Sequence, residues 1–304
     1  MSLLKLSNKI NYYCWACDLS KSSGEGKLGN LFIKKKLINK KIKIFTLQKK
    51  NPKKIKDIFL NYKYISPFIG ILFCWYYFLL KKKPVYINYL PLWNFFIFLL
   101  LPPKTEFGPI TGGALYKNNS LIRMFIFPLF YKISLTLLKC RNTQLIFATD
   151  LLKKYINKNL RKKIIFNFVF NILKKRTKIS KKSINFLIYY REHKNKNEFF
   201  PHNFVKKILS LNFKIHIIGD ILKMPKVINY GRVSNLTVNR LLKKTRYSIC
   251  SGENIFSFFT LECINNNVKI LIDRNIIIKN KNFKKNFLKI DYSDPNLSLL
   301  KLSN

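Results

Sequence analysis

Two carboxylates, Glu253 and Glu262, bracket an aromatic stretch, Asn254-Ile-Phe-Ser-Phe-Phe-Thr-Leu261, and an apolar run, Val268-Lys-Ile-Leu-Ile272, follows them. Glu253 falls in a polar turn and Glu262 at the start of an apolar helical segment, a layout suited to an active site. A carboxylate at a helix start is favoured by the free amides of the first turn. The same residue can also serve there with no chemistry at all. Further residues must decide between the two.

A second set is basic. Arg191, Lys194 and Lys196 come directly after the apolar run Ile184 to Tyr190. At the carboxyl end of a strand, Arg could hold a diphosphate by its planar fork and Lys as a point charge. With 58 Lys and Arg in the chain, a given basic residue is ordinarily a solvated charge, so it is the position of Arg191 that singles it out. Two glycine-dense loops add backbone that a ligand could approach. Gly24-Glu25-Gly26 opens a helix after the first strand, where amides face an anion. Gly108-Pro-Ile-Thr111-Gly112-Gly113 suits a rigid wall against a substrate. Both also read as turns between elements. Cys14-Trp-Ala-Cys17 has redox or zinc spacing, but no second pair accompanies it, and an offset of three in a strand points the thiols to opposite faces. No metal site is expected, and the three histidines are too scattered to propose one.

The elements that must position these residues alternate between strand-like and helix-like runs, the sign of a layered α/β fold with parallel sheets. Strands are expected over 11–17, 43–47, 84–88 and 145–148, with a helix over 27–37. The rhythm restarts with strands over 184–190, 214–218, 226–230, 247–250 and 268–272, and with helices over 201–211, 238–244 and 258–265. The segment 153–182 has no clear strand and reads as an inter-domain connection containing a helix or two. The tail after Asn275 reads as a returning helix. Two successive α/β halves, residues 1–160 and 161–304, imply a cleft with ligands outside the carboxyl ends of the strands. No dinucleotide fingerprint and no P-loop sequence is present, which argues against a dehydrogenase and a P-loop NTPase.

Composition sets the wider bounds. A chain of 304 residues that is 48% apolar can bury two cores. Its formal charge of +45 suggests a polyanion partner, whether nucleic acid, an anionic membrane or a phosphorylated substrate. The lysines are spread along the chain with Asn, Ile, Phe and Tyr, as in A/T-biased coding, so no nucleic-acid partner is expected. The N-terminus lacks a long apolar core and a cleavage site, so no secretory signal is read and the expected location is cytoplasmic. Two apolar stretches, 65–80 and 90–103, are shorter than the roughly 20 residues of a spanning helix. With lysines 81 to 83 they could lie on an anionic membrane surface, or they could be core.

Together, Trp15-Ala-Cys-Asp-Leu-Ser20, Gly24-Glu-Gly26, Asn88-Tyr-Leu-Pro-Leu-Trp-Asn94, Gly108-Pro-Ile-Thr-Gly-Gly113, Tyr190-Arg191 and Ser251-Gly-Glu253 with Leu261-Glu262 resemble the retaining glycosyltransferases of the GT-B class, of the bacterial surface polysaccharide type. The resemblance covers the chain to about Asp273. It implies two Rossmann-like domains facing a cleft, the N-terminal one binding the acceptor and the C-terminal one the nucleotide-sugar. It also implies a hexosyltransferase that retains configuration, with the nucleotide-sugar as donor substrate, no cofactor and no obligatory metal. The acceptor would be a glycan or a lipid-linked molecule in lipopolysaccharide, capsule or other surface glycan synthesis, made by a peripheral protein at the inner face of the plasma membrane. Carried over by residue, Glu262 matches the carboxylate on the donor ribose and Glu253 the one near the donor sugar. Arg191 and Lys194 or Lys196 match the basic pair on the departing diphosphate. One departure is the spacing of the glutamates, which have eight residues between them, one more than the family's usual number. Another is Asn265-Asn-Asn267, where the family has a glycine. A basic nucleic-acid-binding protein and a catalytically inactive glycosyltransferase-like partner subunit are the alternatives.

Overall fold

The computed structural model describes residues 12–20, 23–38, 40–47, 62–111, 121, 125–141, 143–173, 182–193, 197, 199–250, 254–278 and 280–294. The chain divides into two compact units, the first running to Asn171 and the second from Ile172.

In the first unit β1 (Tyr12–Ala16) leads through α1 (Gly24–Lys36) to β2 (Ile42–Phe45), and α2 (Tyr62–Leu79) leads to β3 (Lys83–Ile87). Then come β4 (Leu90–Pro91), α3 (Phe95–Leu100), β5 (Glu106–Phe107), β6 (Ile110–Thr111), α4 (Phe127–Lys139), β7 (Leu145–Ile146), α5 (Lys158–Arg161) and β8 (Ile164–Ile165). The main sheet is parallel in the order β2-β1-β3-β5. Parallel pairs β4-β6 and β7-β8 adjoin through a bridge between Ile110 and Phe147. The core beneath holds Trp15, Cys74, Tyr86, Phe98 and Leu138. Trp15 is locked onto α2, its indole N–H donating to the Ser66 carbonyl at 3.0 Å. That approach needs Gly70, since a Cβ there would sit 2.4 Å from the Trp15 ring.

The second unit contains β9 (Ile184–Tyr190), α6 (His202–Ser210), β10 (Ile215–Gly219), β11 (Val227–Asn229), α7 (Asn235–Lys244), β12 (Thr245–Ile249), α8 (Phe258–Asn265), β13 (Lys269–Asp273) and β14 (Phe287–Ile290). All six strands are parallel in the order β11-β10-β9-β12-β13-β14. Parallel strands covered on both faces read as unbroken apolar runs, which is how β9 is recognised in the sequence. Numbered from β9, this is the order 3-2-1-4-5-6 of a Rossmann sheet. The strand order reverses between β9 and β12, so a ligand crevice is expected outside the carboxyl ends of those two strands.

Two sequence expectations are corrected. Among the described residues of the tail, which end at Asp294, an edge strand, β14, stands where a returning helix was expected, and Tyr292 closes it by stacking on Phe204 at 4.4 Å and donating its hydroxyl to the Leu271 carbonyl. The segment 153–182 contains β8, which pairs with β7 inside the first unit. A strand of two residues carries no readable alternation, and the alternation of β14 is lost among lysines and asparagines.

Candidate functional site

The first unit presents a small recess at the carboxyl ends of β1 and β3, lined by Asp18, Glu25, Asn88, Tyr89 and Thr111 among others. Its floor is organised by Asp18. The Asp18 carboxylate accepts the Ser20 backbone N–H at 2.7 Å and the Ser23 hydroxyl. Ser23 in turn caps α1 by accepting the Gly26 N–H at 2.8 Å, and the Ser20 hydroxyl donates to Ser23 at 2.9 Å. The amides at the start of α1 are therefore partly spent on Ser23, and Glu25 adds a favourable charge in the first turn.

The glycines here divide by role. A Cβ on Gly26 would meet the Ser20 carbonyl oxygen at 2.1 Å and its nitrogen at 2.5 Å, so the loop backbone occupies the space a side chain would need. Gly24 is exposed, with nothing within 4 Å of such a Cβ. Gly108 is buried against Ile87, its N–H donating to the Tyr86 carbonyl at 2.7 Å. Thr111 Oγ1 is buried on this recess and has no hydrogen-bond partner among the described residues. An unmet buried hydroxyl costs about 1 to 3 kcal/mol, which a ligand hydroxyl could recover. Thus the structure gathers Glu25 and Thr111, which belong to two separate glycine-rich loops. Gly112 and Gly113 lie outside the described residues.

In the second unit Arg191 follows β9 directly and is exposed at the edge where the crevice is expected. Burial raises the Tyr189 phenol, and the nearby Arg191 charge opposes that rise. Beside Arg191, Asp220 follows β10 and binds Arg232 through two guanidinium N–H groups at 2.8 and 3.0 Å. Arg232 and the backbone N–H of Glu192, with Arg191 nearby, hold the Asp220 carboxyl below its usual range. Gly219 makes this turn possible. At φ +108° it occupies backbone space that side chains avoid, and a Cβ would lie 2.2 Å from the Tyr190 carbonyl oxygen. The Tyr189 ring packs on Phe259 at 5.6 Å, bringing the capped start of α8 to the end of β9.

Glu262 is partly buried and sits in the second turn of α8, which begins at Phe258 with Ser257 as its cap. The expectation that it lies at the helix start is corrected, and first-turn amides do not account for it. The Ser257 cap, accepting the Thr260 N–H at 3.2 Å, sets the boundary four residues earlier than Glu262 requires. Lys194, Lys196 and Glu253 lie outside the described residues. Sequence reading passed over Asp220, Arg232 and Asp18. The signal for Asp220 was available, since it is one of 13 acids in the chain and follows a glycine at a strand end.

Of the cysteines of Cys14-Trp-Ala-Cys17, Cys14 lies in the middle of β1 and Cys17 just beyond its end, so Cys17 is not held to strand alternation. Burial pushes the Cys14 thiol up to about 12 and raises that of Cys17, so both stay protonated and unreactive near neutral pH. Among the described residues no group of three or more His, Cys, Asp or Glu could hold a metal ion.

No protein-family model matches the chain, and no curated protein matches it in sequence. Solved structures do match its fold. A glycosyltransferase from Rickettsia africae ESF-5 aligns with a TM-score of 0.51 at 11% identity, over 97% of this chain and 88% of that one. The glycotransferase of kitacinnamycin aligns at a TM-score of 0.44 and 8% identity, covering 96% and 90% of the two chains. E. coli heptosyltransferase WaaC with ADP aligns at 0.38 and 9%, covering 96% and 98%. The first likeness, with the strand orders above, establishes the fold as α/β with two Rossmann-like domains of GT-B architecture.

Proposed function

We propose that this protein is a glycosyltransferase that moves a sugar from a nucleotide-sugar to an acceptor hydroxyl. The observation that carries the proposal is Arg191, directly after β9 and beside the Asp220–Arg232 pair, at the carboxyl edge of a Rossmann-ordered sheet. A leaving diphosphate gains charge as the glycosidic bond breaks, and a cation held in advance at that point lowers the barrier. Arg191 supplies it, and the Asp220 to Arg232 pair keeps the neighbouring loop in place. Glu262 accepts from the donor ribose. Lys194, Lys196 and Glu253 have the roles given by the resemblance, at the diphosphate and the donor sugar. In the first unit, the recess of Asp18, Glu25 and Thr111 takes the acceptor, with Thr111 Oγ1 bonding one of its hydroxyls and the carboxylates able to accept a proton.

The finer reading is a retaining hexosyltransferase of surface-glycan synthesis, using a glycan or lipid-linked acceptor at the inner face of the plasma membrane. It rests on the sequence resemblance and on the fold. A panel of nucleoside-diphosphate sugars, tested for transfer and hydrolysis with the wild type and Arg191→Ala, tests the proposal. Arg191 is exposed, so the variant is expected to fold normally and to lose about 2 to 4 kcal/mol of barrier lowering, roughly 30- to 1,000-fold in rate. Near wild-type turnover by the variant would overturn the assignment of Arg191. No transfer or hydrolysis of any donor by the wild type would overturn the function.

A further inference from the structure

The outer faces of α2, α3 and α4 carry apolar side chains that nothing in the described first unit covers. On α2, Phe68, Leu72, Tyr76 and Leu79 recur at helical spacing and point outward, Leu72 being 69% and Phe68 64% exposed. The opposite side of the same helix buries Ile71 and Cys74. On α3, Phe96 is 60% exposed while Ile97 and Phe98 are buried. On α4, Leu129 is 55% exposed while Tyr131, Leu135 and Leu138 are buried. The three helices adjoin. The Trp75 indole N–H donates to the Leu100 carbonyl at 2.7 Å, and Phe95 of α3 meets Phe130 of α4 edge to face at 5.1 Å. The exposed apolar side chains therefore lie on adjoining helices, and contiguous apolar surface of this kind marks an interaction site.

Charge indicates what covers the patch. Between Asp57 and Asp150 the sequence has a single acidic residue, Glu106, and Lys40 pairs with it at 2.5 Å. Exposed lysines edge the helices, with Lys81 beyond the end of α2, Lys104 after α3, and Lys132 and Lys139 along α4. A second copy of the chain would bring another +45 of formal charge to this basic rim. No described helix is long and apolar enough to cross a membrane. Apolar and aromatic residues in the middle, lysines at the rim and no spanning length are the attributes of a surface that lies in the headgroup layer.

We infer that the α2–α3–α4 face docks on an anionic lipid bilayer, inserting Phe68, Leu72, Phe96, Leu99 and Leu129 while the lysines hold lipid phosphates. This gives the face for the membrane placement proposed above. It rests on no part of the transfer chemistry, and vesicle binding without donor separates the two.

The test is flotation of the whole chain with phosphatidylcholine vesicles, with and without phosphatidylglycerol, at low and high salt. Wild type is expected to float with the anionic vesicles at low salt and to be released by salt. The exposed triple variant Leu72→Ser/Leu99→Ser/Leu129→Ser should bind about a hundredfold more weakly, with circular dichroism and urea unfolding unchanged. Lys81→Asn/Lys132→Gln should lose about tenfold on anionic vesicles only, asparagine being chosen because residue 81 has φ 56°. Wild type that fails to float, or a triple variant that floats equally well, would overturn the inference. So would a lipid-free dimer, seen by sedimentation equilibrium, that the triple variant splits into monomers, since a second copy would then cover the face.

Discussion

Replacing Gly26 by alanine separates a glycine kept for packing from one kept for a ligand. The new Cβ would lie 2.1 Å from the Ser20 carbonyl oxygen, 2.5 Å from the Ser20 nitrogen and 2.8 Å from Asp18 Oδ1. Two of these are backbone atoms, which cannot swing aside as a side-chain tip can. Relief requires the 18–20 loop to move by about an ångström, and that breaks the bonds from Ser20 N–H and the Ser23 hydroxyl to Asp18. A hydrogen bond to a charged group contributes about 1.5 to 3 kcal/mol, and loss of the Ser23 cap would add about 1. Alanine recovers at most about 1 kcal/mol of helix propensity. With both bonds broken, the expected net loss is about 3 to 6 kcal/mol, large against the 5 to 15 kcal/mol typical of a domain. Urea unfolding followed by tryptophan fluorescence reads it well, because the first unit holds all three tryptophans, Trp15, Trp75 and Trp93. Gly24→Ala is the control: nothing lies within 4 Å of its Cβ, and its stability should stay within about 0.5 kcal/mol of wild type. If Gly26→Ala unfolded at the wild-type midpoint and lost only ligand binding, the packing argument would be wrong.

Two further outcomes follow from the same geometry. Gly70→Ala places a Cβ 2.4 Å from Trp15 and 2.7 Å from Tyr86, both buried, so overpacking of about 1 to 3 kcal/mol and a weakened Trp15 to Ser66 bond should outweigh the helix gain of about 1. A higher urea midpoint than wild type would refute this. Asp220 has its carboxyl lowered in the folded state, so its contribution is whole above the ordinary carboxylate range and is lost as pH falls through the lowered value. The stability difference between wild type and Asp220→Asn should therefore shrink on acidification, and a pH-independent difference would count against the Arg232 pairing.

Much of the fold was legible because strong periodicity survives without context. The apolar run of β9 reads at both ends as the structure has it, and so does α8, over Phe258–Asn265. The position of Arg191 after β9 was readable for the same reason. The 90–103 stretch, by contrast, could be read as core or as membrane surface, and the structure divides its residues, with Ile97 and Phe98 buried and Phe96 and Leu99 exposed.

By itself the sequence determined alternating α/β elements, parallel sheets and the strand ends where ligand chemistry belongs, because hydrophobic period and turn residues act over a few neighbours. Tertiary structure alone decided the rest. Asp220 meets Arg232 only because parallel pairing of β10 with β9 and β11 turns both residues to one edge, and Thr111 Oγ1, on the recess it shares with Glu25, has no partner among the described residues. Which acid finds a cation, and which hydroxyl is left for a ligand, depends on contacts between residues distant in the chain. No local pattern encodes those contacts.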